Sequence, residues 1–300
     1  MDVTRSEAVV VEVDVDAAEL DEATGELWAR GALAIEERER PDGGVRLVTS
    51  CADPAACRAL ASQLGHRWTV AVTDVDDSVY DTWRDHARPA RAGHRIVLCP
   101  PWYPVGFDAP DVLGNDIVVT IDPGRAFGSG AHPTTRLVLG ELERLVAPDT
   151  RVLDVGCGGG ALAVTAALLG ARTVAIDIDP AATDATRANA ERNGVTDRVL
   201  VSGDPLGSVG GDHDVVVANI GGLELITLAP ALAERVRPGG ALVTSGILAD
   251  RWRDHVAAFT ERAPGLRLEG VGASESWACL TYRRVDDAPP GRPVGGTRPT

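Results

Sequence analysis

Residues 151–160 read Arg-Val-Leu-Asp-Val-Gly-Cys-Gly-Gly-Gly, and seventeen positions past Gly160 stands Asp177, in Val-Ala-Ile-Asp-Ile-Asp-Pro (174–180). An apolar strand runs into Gly156, Gly158 and Gly160, a helix follows, and the next strand ends on a carboxylate. Glycines let backbone approach a ligand where a Cβ would collide. The carboxylate at the second strand end can accept hydrogen bonds from a ribose diol. The spacing G-x-G-x-G differs from the G-x-G-x-x-G that cradles a dinucleotide pyrophosphate. It suits a nucleoside cofactor without phosphate, such as S-adenosylmethionine. With Asp154 on the incoming strand, these positions form the core of a candidate cofactor site.

Other residues extend that set. Residues 122–135 read Asp-Pro-Gly-Arg-Ala-Phe-Gly-Ser-Gly-Ala-His-Pro-Thr-Thr, a glycine-rich loop entering a helix. Phe127 and Gly128 can cover an adenine or a methionine chain. Thr134 and Thr135 either cap the helix or bind the cofactor. His132 either orients the loop or serves as a general base. Asp204 follows a strand in Val-Ser-Gly-Asp, where it contacts an adenine amino group or simply makes a turn. Asn219 ends Val-Val-Val-Ala-Asn (215–219), the strand end at which open α/β sheets bind ligands. Its amide carbonyl can accept from a substrate amine and aim the lone pair at a methyl group; Asn219 and His132 are the catalytic candidates.

Composition removes several alternatives. All 29 basic residues are arginine and there is no lysine, which excludes a P-loop, a pyridoxal Schiff base and a kinase strand lysine. A net charge of −15 argues against direct nucleic-acid binding and favours a basic protein or an amine as partner. No apolar run approaches the ~20 residues of a membrane span. The first residues lack a signal-peptide pattern. The five cysteines form neither a Cys-x-x-Cys pair nor a metal cluster. The expectation is a cytoplasmic protein without a metal.

Two kinds of element must position these groups. Val11, Val13 and Val15 alternate with acids, and helices at 20–28 and 54–64 separate short strands at 33–37, 45–49 and 68–72. The order βαββαβ predicts a ferredoxin-like α+β domain over 1–76. Residues 77–115, rich in Trp, Pro and Arg, read as a linker. From 116 to 285, β–α units alternate, with strands at 117–121, 151–155, 172–177, 198–202, 214–219 and 240–245. Such alternation predicts an α/β fold with a mostly parallel sheet covered on both faces. Strands at 266–272 and 276–283 form a closing antiparallel pair, and 286–300 reads as a disordered tail.

The loop 122–135, Asp-Val-Gly-Cys-Gly-Gly-Gly, Ile-Asp-Ile-Asp-Pro, Asn-Ala-Glu-Arg-Asn-Gly-Val (189–195) and Val-Val-Ala-Asn-Ile together resemble the ribosomal protein L-eleven methyltransferase family. That resemblance implies a Rossmann-like class I methyltransferase sheet behind a ferredoxin-like substrate-recognition domain. It implies methyl transfer from S-adenosylmethionine to amino groups of the large-subunit stalk protein. It places cofactor contacts on Thr135, Gly156, Asp177 and Asn219, with Phe127 and Gly128 closing over the ligand. Ser129, Gly159 and Gly221 depart from the family's usual Thr, Ser and Leu. The Gly221-Gly222 change falls on the substrate side, so a small amine, amino acid or peptide is the alternative acceptor.

Overall fold

A computed structural model of the chain describes residues 8–32, 34–51, 53–75, 88–103, 114–122, 130 and 132–285. Contacts divide the chain into two compact units, Met1–Ala87 and Arg88–Thr300.

In the first unit, β1 (Ala8–Val15), β2 (Ala34–Glu39), β3 (Val45–Ser50) and β4 (Thr69–Val75) form a sheet in the order β2-β3-β1-β4. Every pairing is antiparallel. Strand alternation sends Val9, Val11, Val13 and Val15 to one face, where they are buried with Leu27 of α1 (Leu20–Ala29) and Leu60 and Leu64 of α2 (Pro54–Leu64). The opposite face carries Glu12 and Asp14, both bonded by Arg46 across the β1–β3 pair. Helix α2 starts where Asp53 accepts from the Ala56 N–H at 2.8 Å and Pro54 needs no donor. This is the βαββαβ order and sheet expected of a ferredoxin-like domain.

The second unit is built on a seven-stranded sheet. Its strands are β8 (Arg151–Val155), β9 (Arg172–Ile176), β10 (Val199–Ser202), β11 (His213–Asn219), β12 (Val236–Leu248), β13 (Leu266–Ser274) and β14 (Trp277–Arg284). The order is β10-β9-β8-β11-β12-β14-β13. The first five run parallel, and β14 is antiparallel to both neighbours. Helices α4 (Ala161–Leu168), α5 (Pro180–Arg192), α6 (Gly222–Arg235) and α7 (Trp252–Arg262) make the connections. Sequence order reverses between β8 and β11, and a crevice opens at such a switch point beyond the strand ends. Both faces of the sheet are covered, which is why β8 and β11 read as nearly unbroken apolar runs.

Residues 88–115, expected to be linker, lie in this second unit. Strands β5 (Ala90–Ala92), β6 (Ile96–Cys99) and β7 (Ile117–Thr120) form a small sheet in that order. Ile96, Leu98 and Val119 are buried in one core with Val138, Leu139 and Leu142 of α3 (Pro133–Leu145). The β5–β6 turn depends on Gly93, whose φ is +61° and where a Cβ would stand 2.3 Å from Glu143 Oε2. Glu143 in turn accepts from the backbone N–H groups of His94 (2.6 Å) and Arg95 (3.1 Å). The apolar run Ile96–Cys99 is therefore core-forming, despite the prolines and tryptophan that follow it.

Candidate functional site

The glycine loop turns directly off β8. Gly156 and Cys157 both donate to the Ile176 carbonyl, at 2.9 and 3.1 Å, which ties the loop to the end of β9. Gly156, Gly158 and Gly160 all have left-handed φ, at +74°, +53° and +81°. A Cβ on Gly156 would stand 2.4 Å from Ile220 Cγ2, and one on Gly160 would stand 2.9 Å from Thr186 Oγ1. The alternating glycines are thus fixed by backbone geometry and by packing beneath the loop. Their outward faces present bare backbone.

Asp177 lies against this loop. Its Oδ2 accepts from the Gly158 N–H at 2.9 Å and its Oδ1 from the Asp179 N–H at 3.0 Å. Each oxygen keeps a further lone pair for a ligand hydroxyl. Asp179 caps α5 by accepting from Ala181, so the carboxylate of Asp177 is held by two fixed backbone segments. Next to it, the Ile178 side chain is 71% exposed.

Asp154 behaves differently from its sequence expectation. Its side chain is 0% exposed, so direct contact with a ligand is closed to it. Neither carboxyl oxygen meets hydrogen-bond geometry with a partner, although the nearby Ala163 N–H favours the charged form. Burial, reinforced by the charge of Asp177, pushes this carboxyl up to about 7. Asp154 can act on the site only through the loop above it and through its field on Asp177.

Across the crevice, the Asn219 Nδ2 donates to Thr135 Oγ1 at 3.3 Å, and Thr135 is buried. That bond points the Asn219 amide nitrogen at α3. His132 is the N-cap of α3: its Nδ1 lies 2.7 Å from Thr134 Oγ1 and 3.4 Å from the Thr134 N. Its ring meets Trp277 edge-on, with centroids 5.1 Å apart. Burial lowers its basicity, opposed by Glu275. His132 thus uses Nδ1 to cap α3. Asp204 is exposed at the end of β10, where its Oδ2 accepts from Ser202 Oγ at 2.6 Å and its own N–H returns to that hydroxyl. Phe127 and Gly128 lie outside the described residues.

The family described as Ribosomal protein L11 methyltransferase (PrmA) matches residues 50–285. The chain belongs to that family. A Ribosomal protein L11 methyltransferase of Dechloromonas aromatica is 47% identical over 193 residues, covering 64% of this chain and 61% of that protein. One from Syntrophotalea carbinolica is 44% identical over 206 residues, covering 67% and 65%. The chain therefore matches somewhat less than two thirds of the length of these curated relatives. Among solved structures, the ribosomal protein L11 methylase of Lactobacillus delbrueckii subsp. bulgaricus is similar with a TM-score of 0.60 at 28% identity. That likeness covers 67% of this chain and 100% of the other. The Rossmann-like methyltransferase sheet is the fold found.

Sequence reasoning missed the groups that hold the loops together. Asn189, fully buried on α5, donates from Nδ2 to the carbonyls of Asp122 (2.7 Å) and Gly159 (2.8 Å). Its Oδ1 accepts from the Asp122 N–H at 3.0 Å and from Arg192. One turn on, Asn193 repeats the pattern on Thr120, accepting from its N–H at 2.8 Å and donating to its carbonyl at 2.7 Å. Thr186 Oγ1 donates to the Gly158 carbonyl at 2.8 Å. Asn189 is a poor helix former inside α5, and that mismatch is the available signal; Asn193, the C-cap, reads as an ordinary helix end. Ile220 is a further such residue, since a Cβ on Gly246 would stand 2.1 Å from its carbonyl oxygen.

Proposed function

We propose that this chain transfers methyl groups from S-adenosylmethionine to amino groups of a protein, with ribosomal protein L11 as the acceptor. The observation that carries the reading is Asp177, fixed by Gly158 and Asp179 at the rim of a left-handed glycine loop at the strand ends beside the sheet's switch point. The residues fit the cofactor. Bare backbone at 156–160 can lie against a nucleoside, Asp177 can accept from both ribose hydroxyls, and Ile178 offers an apolar face to a base. Asp204, just past the next strand end, can accept from the adenine amino group. The loop contains no cation to meet a pyrophosphate, and the chain contains no lysine.

When bound, the sulfonium supplies a methyl whose C–S bond breaks as the amine nitrogen takes the carbon, leaving the electron pair on sulfur. The protein's part is to exclude water and align a neutral amine. Positioning of that kind supplies roughly 7–11 kcal/mol. A lysine ammonium, with pKa ~10.4, must first lose a proton. The Asn219 carbonyl, its amide nitrogen held by donation to Thr135, can accept an amine N–H and aim the lone pair. The acidic chain and its separate ferredoxin-like unit suit a basic protein acceptor. All five cysteines are free thiols, which fits a cytoplasmic setting.

The test is transfer of labelled methyl from S-adenosylmethionine to purified ribosomal protein L11, run beside free amines and short peptides. Label on the stalk protein supports the reading. Label on free amines alone moves the acceptor to the small-molecule class, and S-adenosylmethionine failing to bind in calorimetry sinks the whole assignment.

A further inference from the structure

The turn that follows Asn219 carries a carboxylate, Glu224 in the first turn of α6, that pairs with no cationic side chain among the described residues. Gly221 is the N-cap of α6, with φ −58°, a conformation open to any residue. Its backbone does not demand glycine; its neighbour does. A Cβ at 221 would stand 2.1 Å from Glu224 Oε2 and 3.1 Å from Glu224 Cδ. The carboxylate of Glu224, three residues on, is thus folded back over the start of the helix, into the space a side chain at 221 would fill. It is half-buried, and no cation pairs with it among the described residues. Burial pushes its pKa above the ordinary carboxylate value, with its own backbone N–H pulling the other way.

The helix start compensates this charge only in part, and the neighbouring histidine adds none. A Cβ on Gly222 would stand 3.6 Å from His255 Nδ1. His255 is 7% exposed, its Nε2 has no hydrogen-bond partner, and burial pushes it down to about 4, so the ring is neutral at pH 7. Leu223, between the two, is 55% exposed. An unpaired carboxylate beside an exposed apolar side chain matches the two parts of an alkylammonium group, a cationic head and an aliphatic stem.

We propose that Glu224 is a specificity-determining residue that recognises the protonated acceptor amine as it approaches Asn219, with the Gly221-Gly222 pair clearing the room for it. This rests on the methyltransferase reading above. The carboxylate would draw the ammonium to the turn, and the amine would reach the cofactor after its proton passes to water.

Glu224→Gln keeps the shape and the capping capacity and removes only the charge. With ribosomal protein L11 as the acceptor, KM should rise about tenfold, the loss of one charge-assisted contact, with kcat nearly unchanged. S-adenosylhomocysteine affinity by calorimetry should stay at the wild-type value. Gly221→Ala, which leaves Glu224 in place but evicts its carboxylate, should raise KM similarly. The double variant should be no worse than either single one. If the wild type methylates the protein and both single variants keep its KM, the role of Glu224 is overturned while the methyltransferase reading stands. If the wild type methylates no amine, that reading falls and this inference falls with it.

Discussion

Replacing Asn189 by Ala tests the claim that one buried amide ties the two ligand loops together. The substitution strips three backbone groups of their partner: the N–H and carbonyl of Asp122, and the carbonyl of Gly159. A buried polar group left unsatisfied costs about 1–3 kcal/mol. The Gly159 bond is fully buried, whereas those to Asp122 are only partly so, and water can replace them in part. The expected loss is therefore about 3–5 kcal/mol, at the low end of the simple sum. Urea unfolding followed by tryptophan fluorescence would measure it, with hydrogen exchange at the Asp122 amide as the local readout. Asn189→Asp separates hydrogen bonding from volume. It keeps the acceptor for the Asp122 N–H but sets an oxygen against two carbonyls. The introduced carboxyl should have a raised folded pKa, so its stability should be lost as pH rises through that value. A loss below about 1 kcal/mol for Asn189→Ala, with Asp122 exchange unchanged, would refute the account.

Three other outcomes follow from the same geometry. Gly156→Ala combines left-handed strain of about 1–2 kcal/mol with overpacking against Ile220 of about 1–3 kcal/mol. Denaturation should show the sum, and Ile220→Ala in the same chain should recover the second part. His255 is neutral in the fold and has a folded value of about 4, so stability should fall as pH drops from about 6.5 to 4, by about 3 kcal/mol. His255→Phe should flatten that slope, and parallel curves for the two proteins would contradict it. Asp154 runs the opposite way. Its folded carboxyl, pushed up to about 7, favours the fold at low pH, and that contribution is lost as pH rises through 7. Asp154→Asn should therefore gain on the wild type in unfolding free energy between pH 4 and 8.

The sheet and the glycine loop at its edge are legible because local pattern and backbone geometry coincide there. Valine-rich runs ending in Gly156 or Asp177 mark both strand and site, and Asp53-Pro54 and Asp179-Pro180 announce their helices by cap chemistry. The small sheet at 90–99 was obscured because β5 spans only Ala90–Ala92 and pairs with residues whose neighbours are prolines. Strand β12 also begins earlier than expected, at Val236, because Pro238-Gly239-Gly240 reads as a turn yet passes through a register shift against β11. Asp154 illustrates a different limit. Position in a motif brought it near the ligand, but side-chain direction along the strand sent it into the core. Asn189 owes its environment to Asp122, 67 positions away, and Glu224 to its own side chain folding back over Gly221.

Ile220 is pinched between two glycines, with Gly156, just after β8, against its side chain and Gly246, at the irregularity within β12, against its carbonyl. The proposed cofactor loop and the proposed acceptor turn consequently share one structural member. Enlarging either glycine would tilt Asn219 relative to the cofactor, so a defect on one side would be felt in turnover on the other. Anyone retuning which amines this scaffold accepts should vary positions 221–224 and leave the 156–220–246 triplet alone.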